Sequence, residues 1–335
     1  MNNKIKNYLL LPFDFIKVIF QIIIFRFTGK NFKGSGKTLI RLFCVTGGFS
    51  NNIISFFTKK RLKKSQLNYS DPKFNLDKIN QCLINDGYFI IENFLSKEEC
   101  ENFKKFILNN TLIAKKNGKL ISKNILFDEK NPKGSLYEMS DDKIFESEIS
   151  QNLLFSNFFY NVSKKYFNSL PYFDHMSLAI SAKSDKVDVH AAQKFHFDMD
   201  RPKWLKFFIY INDVDENNGP HFFIPKTHKN LGIVRDIRLN GYSRIDDNII
   251  DKYYKNIKSI KGKKGTLLIE DTRGLHKGSV VKENYRLIAL LQFNNSNFGN
   301  EIVKYKINFK NKNNYYFYNK NKESYSNIDE IKLDI

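Results

Sequence analysis

Cysteine is scarce in this 335-residue chain: Cys44, Cys82 and Cys100 lie far apart, with no CxxC pair. That excludes a disulfide framework and a cysteine-built zinc site, and it reads as a chain from a reducing compartment. Seven prolines and sixteen glycines exclude the collagen-like and proline-rich linker classes. No internal repeat is present, and no zinc-finger, RRM or helix-turn-helix pattern accompanies the net charge of +20, so no nucleic-acid partner is expected. What the chain does hold is 41% hydrophobic and 27% charged residues, a globular balance that excludes full disorder. Acidic residues are scarcest at one end. Residues 1–66 carry thirteen Lys or Arg against Asp14 alone, whereas residues 67–300 contribute about +6 and residues 301–335 about +2.

Those first 66 residues also lack an apolar run free of charge. Tyr8 to Phe27 is strongly apolar but contains Asp14, Lys17, Gln21 and Arg26. The first three recur at spacings of three and four, which makes one narrow polar stripe on a helix, with Asp14 and Lys17 placed to pair. Arg26 falls off the stripe and sits near the end of the run, where it can snorkel to water. A charge at the centre of a spanning helix costs about 2.5–3.5 kcal/mol, so a helix lying in a membrane interface is favoured over one that crosses. No small-x-small cleavage site follows, which argues against a signal peptide. Leu39 to Phe57 is a second apolar stretch, split by Gly47-Gly48 and closed by Lys59-Lys60-Arg61 and Lys63-Lys64. Basic residues interleaved with apolar ones favour an anionic membrane surface, and a location in the cytoplasm or at its membrane face. The alternative is that both stretches pack on the core. GKNFKGSGKT, Gly29 to Thr38, mimics a phosphate loop, but Asn31 stands where the first Gly is required and no strand leads into it.

From residue 67 the texture changes. Leu76–Asn85 reads as a helix with Ile79, Cys82 and Leu83 on one face, stopped by Gly87; Tyr88–Phe94 reads as a strand. Ser96 and Glu99 form a capping-box pattern before a helix over Glu98–Leu108. Between Phe173 and Phe298 short strands alternate with turns such as Asn217-Asn218-Gly219-Pro220. The expected fold is mainly β with flanking helices, a jelly roll over residues 67–300. Residues 301–335 read as a polar, peripheral C-terminal tail, and the segment Ala114–Asp142 as a loop near the substrate pocket.

Four of the six histidines fall between 190 and 228. In KFHFDMD, His196 and Asp198 stand two apart on an expected strand, so both point to one face. His276 follows the expected strand GTLLIED, and Arg286 opens the next, RLIALLQF, which a turn near Glu283-Asn284 would return antiparallel beside His276. Two imidazoles and one carboxylate leave three positions open on a metal, an arrangement suited to non-heme Fe(II) and O2 chemistry. Arg286 is a natural fork for the second carboxylate of a keto-diacid cosubstrate. Singly, each residue has a structural alternative: a satisfied strand histidine, or an exposed arginine in an ion pair. The ordered set is what points to chemistry. Asp200 and Asp271 are rival carboxylates and Arg273 a rival cation, less well spaced.

QKFHFDMDRPKWLKFFIYINDVDENNGPHFFIPKTHK (residues 193–229), GTLLIEDTRGLHKGSVVKENYRLIALLQF (residues 265–293) and DGYFIIENFLSKEE in the entry unit resemble the phytanoyl-CoA dioxygenase family, over roughly residues 75–300. That family is a branch of the Fe(II)/2-oxoglutarate oxygenases with a double-stranded β-helix (cupin-like) core. The resemblance implies that His196, Asp198 and His276 bind Fe(II), that Arg286 holds the 5-carboxylate of 2-oxoglutarate, and that O2 oxidises a C–H bond with succinate and CO2 as coproducts. Halogenases of the family replace the carboxylate ligand by a small residue; Asp198 is retained here, so hydroxylation is the expected outcome. The family's Gly-Ser-His after the NGP strand is Lys226-Thr227-His228 here, a position read as structural. Gln193, Lys206 and Tyr210 are further candidates to hydrogen-bond 2-oxoglutarate, although the sequence does not say which face of their strands is inward. His190 and His221 could line the mouth of the site and are read as structural. The substrate is a small or lipid-like molecule of unassigned class. Two other readings stand beside this one: a cupin-like metalloprotein with zinc and non-oxygenase chemistry, and a membrane-associated binding protein without catalysis.

Overall fold

The computed structural model describes residues 8–32, 34–63, 71–199, 201–241 and 243–333. Three helices lead: α1 (Leu11–Thr28), α2 (Ser35–Thr46) and α3 (Phe49–Thr58). Gly47 and Gly48 both take positive φ, 67° and 96°, and so turn α2 directly into α3. The entry unit is α4 (Leu76–Asn85), β1 (Tyr88–Ile91) and α5 (Lys97–Leu108). Asn75 caps α4, and Gly87 lies just past its end at φ 90°. Both arms of the capping box form: Ser96 Oγ accepts from the Glu99 N–H at 3.1 Å, and Glu99 Oε2 accepts from the Ser96 N–H at 2.7 Å.

Next come β2 (Leu112–Lys116), β3 (Lys119–Ile125) and β4 (Leu136–Glu138), so the segment expected as a pocket loop contributes to three strands. Helices α6 (Asp141–Glu146), α7 (Glu148–Leu154) and α8 (Asn157–Phe167) lead to β5 (Tyr172–Ala182) and β6 (Trp204–Tyr210). Then follow β7 (His221–Phe223), α9 (Arg235–Arg238), α10 (Asp247–Tyr253), β8 (Lys258–Ile260), β9 (Leu267–Glu270), β10 (His276–Gly278) and β11 (Tyr285–Asn294). The chain continues through β12 (Tyr305–Phe309), α11 (Lys312–Lys320) and β13 (Ile328–Leu333).

The large sheet has the order β1-β9-β6-β11-β5-β4-β2-β3, and a small sheet the order β10-β7-β8. The KFHFDMD segment, expected as a full strand, is reduced to isolated bridges, Phe195 with Ile245 and His196 with His276. Its alternation survives: Phe195, Phe197 and Met199 enter an apolar cluster with Phe43, and the intervening residues turn the other way. Counting this segment, the chain from β5 to β11 passes repeatedly between the two sheets, which makes a double-stranded β-helix core, mainly β with flanking helices.

Strand β11 does not return beside β10. It lies in the other sheet, antiparallel between β5 and β6. Its composition explains this: a nearly continuous apolar run suits a central strand covered on both faces. Leu287, Ala289, Leu291 and Phe293 join Phe207, Ile209 and residues of α4, α5 and α8 in the main core. The alternate set on the same strands, which includes Lys206, Phe208, Tyr210 and Arg286, faces the space between the sheets, where Phe208 packs on a cluster with Phe223.

Residues 301–333 are no peripheral tail. Tyr305, Ile307, Phe309, Phe317, Tyr318 and Tyr325 are buried in the main core, with the Tyr325 ring 5.3 Å from that of Phe155. Aromatic area, not periodicity, anchors this segment. The leading helices also dock on the domain, in an unexpected sense. On α1 the buried residues are Asp14, Val18 and Gln21, while Phe13, Ile16, Phe20 and Phe27 are exposed. Asp14 pairs with Arg41 of α2, through bonds of 2.7 and 2.5 Å, and not with Lys17, which faces solvent. Arg41 reaches Asp14 with a two-pronged fork that an i,i+3 lysine cannot match. Among the described residues, no helix is long and apolar enough to cross a membrane.

Candidate active site

His196, Asp198 and His276 are buried and bring their ligand atoms within 4.8 Å of one another. The elements responsible are the bridge segment and the first residue of β10, which exchange two backbone hydrogen bonds, His196 N to His276 O at 3.0 Å and the reverse at 2.9 Å. Asp198 N donates to Thr272 O at 2.8 Å and fixes the carboxylate's end of the segment. Each imidazole is oriented by its own strand. Nδ1 of His196 lies 2.9 Å from Lys194 O, and Nδ1 of His276 lies 3.0 Å from Gly274 O. A carbonyl can only accept, so both rings carry their proton on Nδ1 and keep Nε2 as a lone-pair donor. The two Nε2 atoms face Asp198, at 3.7 Å from Oδ1 and 3.5 Å from Oδ2.

Burial holds both imidazoles below their ordinary pKa, and the neighbouring ring pushes His196 further down, so both are neutral near pH 7. Burial alone would raise the Asp198 carboxyl. The Lys206 ammonium beside it overcomes that cost and keeps the group ionised. Two neutral nitrogens and one anionic oxygen, converging with second atoms already engaged, are the donor set a divalent first-row metal accepts.

Arg286 enters the same interior from the opposite sheet. One Nη donates to Gly219 O and the other to Ser181 Oγ at 3.2 Å. Its Nε is buried with no protein partner. Gly278 is the close approach that admits the guanidinium: a Cβ there would stand 3.0 Å from Arg286 Nη2. A buried cation with an orphaned donor fits an anionic ligand such as a carboxylate.

The second-tier candidates are spent on the protein itself. Lys206 Nζ pairs with Asp198 Oδ2 at 2.7 Å. Tyr210 does face inward, but its hydroxyl donates to Ile260 O at 2.8 Å and accepts from His221 N. Gln193 Oε1 accepts from Asp188 N at 2.7 Å, which closes the loop before the His196 segment. His190 is exposed and packs on Gly118 at the β2–β3 turn. The rivals cancel each other. Asp271 accepts from Arg273 Nε at 2.9 Å and Nη2 at 2.5 Å, and from Tyr166 Oη at 2.5 Å. Asp200 lies outside the described residues. His228 sits at Ile84 O, 3.2 Å away, in a structural link to α4.

One residue, Glu270, went unread in the sequence. Glu270 ends the apolar run of β9 directly across from Lys206, and its Oε2 lies 2.8 Å from Nε2 of His221, out of line for a hydrogen bond. The His221 ring in turn stacks on His276 at 5.7 Å and 13°. Burial pushes Glu270 up to about 8 and His221 down to about 3, so at neutral pH they meet as two uncharged groups. The sequence signal for Glu270 was a lone charge closing an otherwise apolar strand.

The family model for phytanoyl-CoA dioxygenase matches residues 84–282. No curated protein matches the chain at a significant level. Among solved structures the chain is similar to the epimerase SnoN in complex with Fe3+, alpha ketoglutarate and a nogalamycin compound. That match has 11% identity and TM-score 0.48 over 67% of this chain and 84% of SnoN. It is also similar to EctD from S. alaskensis with 2-oxoglutarate and 5-hydroxyectoine (16%, TM-score 0.46, 71% and 82%). A third is HygX from Streptomyces hygroscopicus with nickel, 2-oxoglutarate and hygromycin B (13%, TM-score 0.45, 69% and 90%).

Proposed function

The chain belongs to the phytanoyl-CoA dioxygenase family, and from that premise we propose that it is an Fe(II)- and 2-oxoglutarate-dependent oxygenase that hydroxylates a C–H bond of a small molecule. The observation that carries this reading is the pair of neutral imidazoles, each tied through Nδ1 to a carbonyl, with both Nε2 atoms facing one ionised carboxylate. His196, Asp198 and His276 would hold the iron, and Arg286 the distal carboxylate of 2-oxoglutarate. When bound, the metal and its cosubstrate supply the O2-activating and C–H-oxidising chemistry, with succinate and CO2 as coproducts.

The protein's own residues bind, orient and shield. Arg286 brings a permanent charge into a site lined by Tyr210 and His221, and each Nη keeps a second proton, beyond those given to Gly219 O and Ser181 Oγ, for an arriving carboxylate. Lys206 offsets the charge of Asp198 and holds its carboxylate in place. His221 and Glu270, uncharged behind His276, keep that wall of the site low in dielectric and fix the ring against rotation.

The test is an anaerobic visible spectrum with Fe(II), to which 2-oxoglutarate is added for wild type and for Arg286→Ala. A charge-transfer band in wild type, needing at least about tenfold more 2-oxoglutarate in the variant, is the expected result. Folded, iron-loaded protein without a band would reject the cosubstrate. Zinc retained from anaerobic purification, with no succinate formed, would move the assignment to the zinc reading.

A further inference from the structure

Helices α1 and α3 are built inside out. On α1, Phe13, Ile16, Phe20, Ile23 and Phe27 follow one another at spacings of three and four, and all five are exposed, Ile23 least at 49%. Asp14, Val18, Gln21 and Phe25 make the nearly opposite stripe, and they face the protein. Helix α3 repeats the arrangement. Its Phe49, Ile53, Phe56 and Phe57 are exposed by half or more, while Ser50, Asn51 and Thr58 are buried.

The inward faces meet a small apolar cluster of Val18, Leu39, Leu42, Ile54 and Phe298, and around it a polar part of the domain. Asn51 Nδ2 donates to Pro202 O at 3.2 Å, Asn295 Nδ2 to Ser55 Oγ at 2.6 Å, and Ser296 Oγ to Thr58 O at 3.2 Å. Asp14 is held by Arg41, and the amide of Gln21 is buried with no partner among the described residues. Water alone would favour the reverse orientation of both helices, so the exposed apolar stripes match a surface other than water.

The two stripes meet. Ile23 and Phe27 of α1 and Phe56 and Phe57 of α3 line one cleft of about 1000 Å³, and Arg26, Lys59, Lys60 and Arg61 line it with them. Arg61 lies over the Phe56 ring at 5.2 Å. Beyond the cleft, Lys17, Lys30 and Lys37 are exposed, and the lone acid of the region, Asp14, is buried and neutralised. An apolar platform rimmed by cations, with no exposed anion on its helices, is complementary to an anionic bilayer surface.

We propose that the outer faces of α1 and α3 dock together on an anionic lipid bilayer, lying in its interface with Phe13, Ile16, Phe20, Ile23, Ile53 and Phe56 inserted and the basic rim on the headgroups. The docking is independent of the reaction assigned to the domain. It leaves the entry unit and the double-stranded β-helix on the water side of the membrane plane.

The test is sedimentation of the full chain with vesicles of phosphatidylcholine, with and without phosphatidylserine. Wild type sediments with the phosphatidylserine vesicles, binds pure phosphatidylcholine at least about tenfold more weakly, and is released as salt rises. Ile16→Glu with Phe20→Glu lowers the affinity about tenfold or more while the thermal melt by circular dichroism stays that of wild type. Arg26→Glu, an exposed change on the rim, lowers it at least about fivefold. Absence of sedimentation with either vesicle overturns the proposal, as does equal binding by the Ile16/Phe20 variant. So does a concentration-dependent dimer that the same variant dissolves, which would assign the face to a second copy of the chain.

Discussion

Strand β11 and helix α1 are both dominated by large apolar side chains, yet they bury opposite faces. On β11 the apolar set Leu287, Ala289, Leu291 and Phe293 lies under the flanking helices, and Arg286 faces the interior of the β-helix, where it has partners. On α1 the polar set is inward and the apolar set outward. The difference lies in what each element packs against. The outer face of the large sheet meets apolar helix faces, so apolar area decides its orientation. The leading helices meet carbonyls, amides and Arg41 around a cluster of only five buried apolar residues, so hydrogen bonds and one ion pair weigh more in theirs. Hydrophobicity therefore measures how much an element has to hide, and the partner surface determines which side it hides.

The comparison is broken most severely at the site. His276→Ala should lower iron retention and 2-oxoglutarate turnover by more than about a hundredfold with the fold intact, since losing even an outer-shell partner of a metal ligand costs 10–100-fold. Iron content by elemental analysis, with succinate release, checks it. Unchanged values would remove the triad from the reaction. Next in size is the contrast between the two elements themselves. Leu291→Ala, fully buried, should cost about 3–5 kcal/mol in urea unfolding, whereas Phe20→Ala, 58% exposed, should stay within about 0.5 kcal/mol. Equal losses would mean that α1 is not turned outward in solution.

A buried charge of the domain can be set against a buried charge of the leading helices. Burial alone would raise Asp271, but Arg273 and Tyr166 hold it down at about 2, below the 3.9 or so of an unfolded aspartate. A depressed carboxyl stabilises the fold above its unfolded pKa and ceases to do so as pH falls through its folded one. Between pH of about 4 and 2 wild type should lose on the order of 2 kcal/mol that Asp271→Asn does not lose, read from urea midpoints across that range. Parallel curves would show that the carboxylate does not hold its charge through the pair. The smallest effect is at the other end of the chain. Asp14→Ala should cost about 1–2 kcal/mol, because Arg41 is left with partial access to water. A loss as large as that of Leu291→Ala would show that the ion pair, and not the neighbouring amide contacts, holds α1 in place.

Much of the site was legible because its signals are local. His196 and Asp198 share a face by alternation, and α4, the capping box and the glycine turn at Gly87 announce themselves within a few residues. What was not legible depends on pairing between distant segments. Nothing near Arg286 says that β11 inserts between β5 and β6 across from β10, and nothing near Lys206 says that its ammonium meets Asp198. Residues 301–333 were misread because their aromatic residues lack the spacing that marks a helix or strand, yet burial needs only area and a place to put it. On α1 the polar stripe was visible, but its direction was set by Arg41 and by the carbonyls and amides under α3.

The close approach of Gly278 to Arg286 makes the thickness of the sandwich a quantity that the site reads. The two residues belong to opposite layers, and a methyl group on Gly278 would fit only if the guanidinium gave way by a few tenths of an ångström. Protein interiors are close-packed and transmit strain, so a core substitution that spreads the layers near this end by a few tenths of an ångström draws the guanidinium away from Gly278. One that pinches them drives it into the backbone. The fork thus works as a caliper set across the fold, and the place of its guanidinium registers the state of packing well beyond the residues it touches.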